Sequence, residues 1–162
     1  MNEHSVEIIG SGEGKDYAAI LAWWSYMEWY RQRNIPFDTV LAAYRKRAAS
    51  REGDCFLVAR AGSLPVGMVS LKMDDLWSRK DLNPWLASLY VCPGFRNRGF
   101  GTALTNALIE RARSLGYGRL YLFIARTGHD QLEIFYAKRN WLFYDHALDN
   151  DGFDTSIYCY NL

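Results

Sequence analysis

The stretch that most constrains this chain is Trp85 to Ala107, WLASLYVCPGFRNRGFGTALTNA, where an apolar run, a turn rich in glycine and arginine, and an amphipathic segment follow in direct succession. Trp85 to Val91 is too short for a buried helix and is stopped by Cys92-Pro93-Gly94, so it reads as a strand. After the turn, Leu104, Leu108, Ala112 and Leu115 recur at helical spacing, with Gly116 placed to cap the end. The segment between them, Arg96-Asn97-Arg98-Gly99-Phe100-Gly101, presents its amide groups at a helix N-terminus, which is an anion site. Gly99 and Gly101 let a diphosphate approach the main chain, and Asn97 tolerates a left-handed conformation. Arg96 and Arg98 add charge-assisted donors, and the helix dipole contributes about 0.3–1 kcal/mol more for a negative group. A basic surface turn with a required glycine is the alternative, and a short glycine pattern alone does not separate the two.

The whole pattern resembles the acyl-CoA site of the GNAT superfamily of N-acetyltransferases. There a strand ending in a Leu-x-Val-like sequence precedes Arg/Gln-x-x-Gly-x-Gly/Ala and a helix. The match here is Leu89-Tyr90-Val91, then Arg96-x-x-Gly99-x-Gly101, then Thr102-Ala103-Leu104. A second strand at Arg119 to Ala125 follows, and then a helix carrying Phe135-Tyr136-Ala137-Lys138-Arg139-Asn140-Trp141. That ending is similar to the family's Tyr-x-x-x-Gly-Phe, with Asn140-Trp141 in place of Gly-Phe.

The resemblance implies an α/β (α+β) fold with a central mixed, mostly antiparallel sheet of about seven strands and about four helices, splayed at strands 4 and 5. It implies one GNAT domain over residues 1–162, with acetyl-CoA as cosubstrate and no metal. The pantetheine arm enters between the splayed strands in this family, so Leu89, Tyr90 and Val91 are expected to hold it through main-chain groups. Arg96, Asn97, Arg98, Gly99, Phe100, Gly101 and Thr102 are expected to hold the diphosphate.

Bulk properties narrow the partners. A chain of 162 residues with 49% hydrophobic content has enough apolar material for one core, and a net charge of +1 gives no reason to expect nucleic acid. Cys55, Cys92 and Cys159 are odd in number and widely spaced, which fits reduced thiols better than a disulfide framework. With no leader-like start and no span long enough for a bilayer, the expected location is the cytoplasm, away from membranes, as a monomer or homodimer.

Along the chain, Ser5 to Ile9 reads as a strand, and the loop Gly10-Ser11-Gly12-Glu13-Gly14-Lys15 fits neither a dinucleotide nor a P-loop pattern. Asp16 to Arg31 predicts a helix with Ile20, Trp24 and Met27 on its inner stripe; its remaining aromatics call for cover nearly all round, which core packing explains for most of the rings, the functional alternative being that one or two line an acceptor pocket. A second helix follows Pro36, and Asp54 to Arg60 with Pro65 to Met73 predicts a hairpin. Asp74 to Asn83 reads as a polar surface linker. A helix from Asp130 to Arg139 and strands at Leu142 to Ala147 and Phe153 to Tyr160 close the chain, the last two joined by the turn Asp149-Asn150-Asp151-Gly152.

Acetyl transfer to an amine needs a deprotonated nitrogen, support for the oxyanion and a proton for the departing thiolate. Tyr136 matches the family's tyrosine acid. A phenol of pKa about 10 giving its proton to a thiolate of pKa about 8.5 is uphill by about 2 kcal/mol, so a hydrogen bond without full transfer serves nearly as well. Packing alone would equally place Tyr136 in the core beside Leu132 and Phe135. The central strand lacks the glutamate that some relatives use as base, which leaves Asp74, Asp75 and Asp81 in the preceding linker, with His129 standing where the family often has asparagine. Cys92 lacks an adjacent acid-base pair and reads as a small hydrophobe. Asp145, Asp149, Asp151 and Asp154 sit where they would attract a cationic amine, although turn propensity explains them too.

The function expected is N-acetyl transfer from acetyl-CoA to a primary amine of a small molecule or peptide, by direct attack in a ternary complex. The alternative is an acyl-CoA-binding regulatory module that has lost catalysis. Acceptor, acyl length and base stay open at this level.

Overall fold

The computed structural model describes residues 6–162, so Ser5, the expected start of the first strand, lies outside the described residues. The strands are β1 (Val6–Gly10), β2 (Cys55–Ala61), β3 (Leu64–Lys72), β4 (Trp85–Val91), β5 (Arg119–Ala125), β6 (Leu142–Leu148) and β7 (Asp154–Asn161). The α-helices are α1 (Ala18–Ser25), α2 (Phe37–Ala49), α3 (Phe100–Ser114) and α4 (Asp130–Ala137). All seven strands join one sheet in the order β1-β2-β3-β4-β5-β7-β6. The registered pairs β1–β2, β2–β3, β5–β7 and β6–β7 are antiparallel. β4 and β5 run parallel and are registered at Trp85 opposite Tyr121. The mixed, mostly antiparallel sheet expected from the resemblance is therefore present.

The chain divides into two compact units, residues up to Leu71 with Ser88–Leu108, and Lys72–Ala87 with Ile109–Leu162. In the first, α1 and α2 bury Leu21, Ala22, Val40 and Tyr44 against Phe56, Val58 and Met68. Two hydroxyls of this core are paired: Ser25 Oγ lies 2.8 Å from Tyr44 Oη, which lies 3.5 Å from Met68 Sδ. The glycine loop after β1 is structural. Ser11 Oγ donates to the Phe56 carbonyl and accepts from the Phe56 amide, fastening the loop to β2.

The helix expected over Asp16 to Arg31 is compound. A 3₁₀ turn precedes α1, a π-helical turn (Tyr26–Tyr30) follows it, and a 3₁₀ turn (Arg31–Arg33) ends at Asn34 in the left-handed region. Its inner stripe also differs from the expected one. Ala18, Leu21, Ala22 and Ser25 face inward at regular helical spacing, while Ile20 and Met27 are exposed and Trp24 is half-buried. Nor is the helix covered all round, since Trp23 is 46% exposed. Small residues bring a helix close to a sheet, so they outrank aromatic bulk in choosing the face.

One close approach fixes β3 to β4. A Cβ added at Gly67 would meet the Tyr90 carbonyl oxygen at 2.9 Å and Leu104 at 3.1 Å. Because the nearer neighbour is backbone, Gly67→Ala is expected to lower folding stability by about 1–3 kcal/mol, read by urea denaturation; an unchanged midpoint would show that the strands can part without cost.

In the second unit, the expected surface linker proves to be anchored. Leu76 and Leu82 are buried with Trp85, Tyr121, Ile157 and Cys159. Ser78 Oγ donates to the Leu148 carbonyl at 2.7 Å, and the Trp77 amide donates to Asn150 Oδ1 at 2.9 Å. The segment thus covers part of β6, the edge strand, and blunts it. Gly116 caps α3 as expected, at φ +85°, with the Tyr117 amide bonded to the Ala112 carbonyl.

Candidate functional site

The anion loop is built from short-range constraints. Cys92 follows β4 directly and leads into a 3₁₀ turn (Pro93–Phe95), with the Phe95 amide on the Cys92 carbonyl. Asn97 (φ +60°) and Gly99 (φ +86°) both adopt the left-handed region, and α3 starts immediately after. The Ala103 amide bonds to the Gly99 carbonyl at 2.9 Å, so the amides of Phe100 and Gly101 precede the first helical hydrogen bond and have no acceptor inside the helix. Phe100 is buried and edge-on to Phe95, which fixes the direction of the helix start. A Cβ at Gly99 would meet nothing within 4 Å, so the space before the loop is open. Left-handed turns, helix start and two guanidinium groups together fit the diphosphate of a coenzyme A.

Arg96 is already oriented. Its Nε donates to the Val91 carbonyl at 2.9 Å, and its guanidinium lies 5.8 Å from the centre of the Tyr90 ring. Arg98 lies over Phe95 at 5.6 Å. Thr102 falls in the first turn of α3. Leu89, Tyr90 and Val91 are half-buried at the end of β4. Just before them Ser88 has φ +54°, an unusual value for a non-glycine inside a strand and one that redirects the backbone there. No signal in WLASLYV identifies Ser88 in advance.

Burial pushes the Cys92 thiol up, with Arg96 opposing, so the protonated form dominates and a thiolate nucleophile is disfavoured. Burial also raises Tyr90, with Cys92 and the Glu28 carboxylate adding to the effect and Arg96 opposing it.

In the second unit Tyr136 is the one buried residue of α4. Its ring is edge-on to Phe135 and Trp141. Leu132, expected beside it in the core, is exposed. Burial pushes the phenol up, with Arg139 opposing, so the hydroxyl stays protonated. Asn140 explains the departure from Gly-Phe: at φ +64° it occupies the left-handed capping position of the family's glycine, and the Trp141 amide bonds back to the Tyr136 carbonyl. His129 holds the N-cap position of α4, and its side chain makes no cap bond.

The carboxylates considered as bases are all engaged. Asp75 pairs with Lys72, and Asp74 with Lys80 at 3.0 Å. Both oxygens of Asp81 bind Arg79 at 2.9 Å, and that guanidinium holds the carboxyl below its ordinary range. Arg79 also reaches Asp145 at 2.8 Å. Asp149 Oδ1 accepts from the amides of Asp151 and Phe153, a turn-building role. Beside that turn, Ala125, Arg126, Thr127, Asp149, Phe153 and Asp154 line an open cavity of about 470 Å³. Among the described residues, no group of three or more His, Cys, Asp or Glu side chains is placed to hold a metal ion. No helix among them is long and apolar enough to cross a membrane.

The family model for the acetyltransferase (GNAT) family matches residues 19–141. The chain belongs to that family. This GNAT protein is 30% identical over 93 residues to an uncharacterized N-acetyltransferase of Methanocaldococcus jannaschii, a match spanning 57% of this chain and 41% of the relative's length. The GNAT fold recurs in a Salmonella typhimurium protein assigned as an acetyltransferase and solved with its cofactor acetyl-CoA, at TM-score 0.73 and 18% identity, covering 98% of this chain and 94% of that one. Arabidopsis thaliana NAA60, in complex with a bisubstrate analogue, superposes at TM-score 0.68 with 15% identity, covering 96% and 98%. At those identities the two structures speak to fold.

Proposed function

We propose that this GNAT protein, acting as one domain, transfers the acetyl group of acetyl-CoA to a primary amine of a small molecule or peptide by direct attack in a ternary complex. The observation that carries the proposal is the loop of Asn97 and Gly99, left-handed at both positions, opening onto the start of α3 between Arg96 and Arg98. Acetyl-CoA supplies an activated thioester. The amides of Phe100 and Gly101, with Arg96 and Arg98, bind its diphosphate. The main chain at Leu89, Tyr90 and Val91 orients the pantetheine arm. Tyr136 holds a proton at Oη and offers it as a hydrogen bond to the departing sulfur, while the proton lost by the attacking nitrogen passes to water and the thiolate takes its proton from water.

Asp75 and Asp81, the linker carboxylates considered as bases, suit that role poorly, since each is committed to a cation. That commitment also motivates the second reading, an acyl-CoA-binding module without turnover. A screen of acetyl-CoA consumption against a panel of primary amines separates the two. Thiol release that depends on added amine supports the transferase, whereas coenzyme A binding without release by any amine supports the module.

A further inference from the structure

The π-helical turn Tyr26–Tyr30 gives this chain a carboxylate that neither the sequence motif nor the loop contacts use. The turn is closed by the Arg31 amide on the Tyr26 carbonyl, a bond spanning five residues, and π turns inside helices concentrate at functional sites. Just before it, Trp24 is half-buried and packs on the Tyr90 ring at 5.4 Å between centroids. Glu28 follows Trp24 by four residues. Helices of 3.6 and of about 4.4 residues per turn both bring the fourth residue back to nearly the same face. Glu28 therefore stands on the side of the helix that Tyr90 faces, and its charge reaches the Tyr90 phenol. It is exposed and has no ion pair among the described residues, in contrast to Asp74, Asp75 and Asp81.

The adjoining face of the same helix is apolar and aromatic. Trp23 packs on Tyr26 and Phe37, yet stays 46% exposed, and Met27 is 41% exposed. An unpaired carboxylate beside aromatic faces attracts a cation with an apolar body: the carboxylate takes the ammonium, and the ring faces take the cation's edge and its hydrocarbon. Arg96, the cation over the Tyr90 ring, is held by the Val91 carbonyl and suited to the coenzyme's diphosphate. We infer that Glu28, Trp24 and Tyr90 form the receiving site for a primary amine with a flat apolar body, Glu28 binding its ammonium group. This rests on the acetyltransferase reading and names its acceptor class: arylalkylamines, ahead of polar or anionic amines.

The test is calorimetric titration of phenethylamine into the full chain, with and without saturating coenzyme A, for the parent, Glu28→Gln and Glu28→Asp. The parent is expected to bind, Glu28→Gln to bind at least about tenfold more weakly, and Glu28→Asp to recover most of the loss. Coenzyme A affinity is expected to be the same in all three, and the neutral analogue 2-phenylethanol to show no difference between parent and Glu28→Gln. Equal phenethylamine affinity in parent and Glu28→Gln, or no binding by the parent in either titration, would overturn the inference. Failure of the parent to bind coenzyme A would instead count against the acetyltransferase reading, and the titration without coenzyme would still decide the role of Glu28.

Discussion

Gly99→Glu is expected to weaken coenzyme A binding by about a hundredfold or more, close to 3 kcal/mol. Two effects act together. At φ +86° an L side chain is strained by roughly 1–2 kcal/mol in the left-handed region. The new carboxylate also stands at the positive end of α3, where it takes the place of the phosphate and repels it. Open space beyond the Cβ position means the side chain meets no packed neighbour, so the variant should fold. Gly99→Ala carries the strain without the charge and is expected to lose about tenfold or less. Isothermal calorimetry with coenzyme A, beside thermal melts of both variants, separates charge from strain. Equal losses in the two variants would assign the effect to the backbone.

Tyr136→Phe is expected to lower turnover by about a hundredfold or more with coenzyme A affinity unchanged within about twofold. Phenylalanine keeps the edge-on contacts with Phe135 and Trp141, so the variant removes a hydroxyl and little packing. The pH dependence distinguishes the role further. Burial raises the phenol above its ordinary value, so Tyr136 stays protonated as pH approaches 10 and contributes no falling basic limb. It also makes full transfer to a thiolate more uphill than for a free phenol, which favours a hydrogen bond held through the step. The parent and Tyr136→Phe should therefore give rate profiles of the same shape and different height. A basic limb present in the parent and absent in the variant would mean that Tyr136 ionises in the working range.

Where local chemistry decides the backbone, the sequence was legible. Trp85 to Val91 and Arg119 to Ala125 are strands over the expected residues, and Gly116 ends α3 where a left-handed residue is needed. Asn97 was expected to tolerate the left-handed region and adopts it. Asn140 shows why the family's glycine could be replaced there: asparagine is among the few residues that cap a helix in that conformation.

Tertiary choices were less legible. Asp74 to Asn83 is polar by count, and only packing reveals that Leu76 and Leu82 anchor it while Ser78 and Arg79 cover β6. The aromatic bulk between Trp23 and Tyr30 masked the regular stripe of Ala18, Leu21, Ala22 and Ser25, and no composition signal marks a π turn. Ser88 carries a left-handed backbone inside an apolar strand for reasons that lie in the fold and not in its own propensity.

The most direct measurement is a single turnover with acetyl-CoA labelled in its acetyl group, an amine identified in the acceptor screen, and the protein in excess, followed by mass spectrometry of amine and protein. The label is expected to appear on the amine nitrogen, at a rate equal to thiol release, with no acetylated protein at any time. Label found first on the protein, at Cys92 or elsewhere, or released as acetate without reaching the amine, would contradict direct attack.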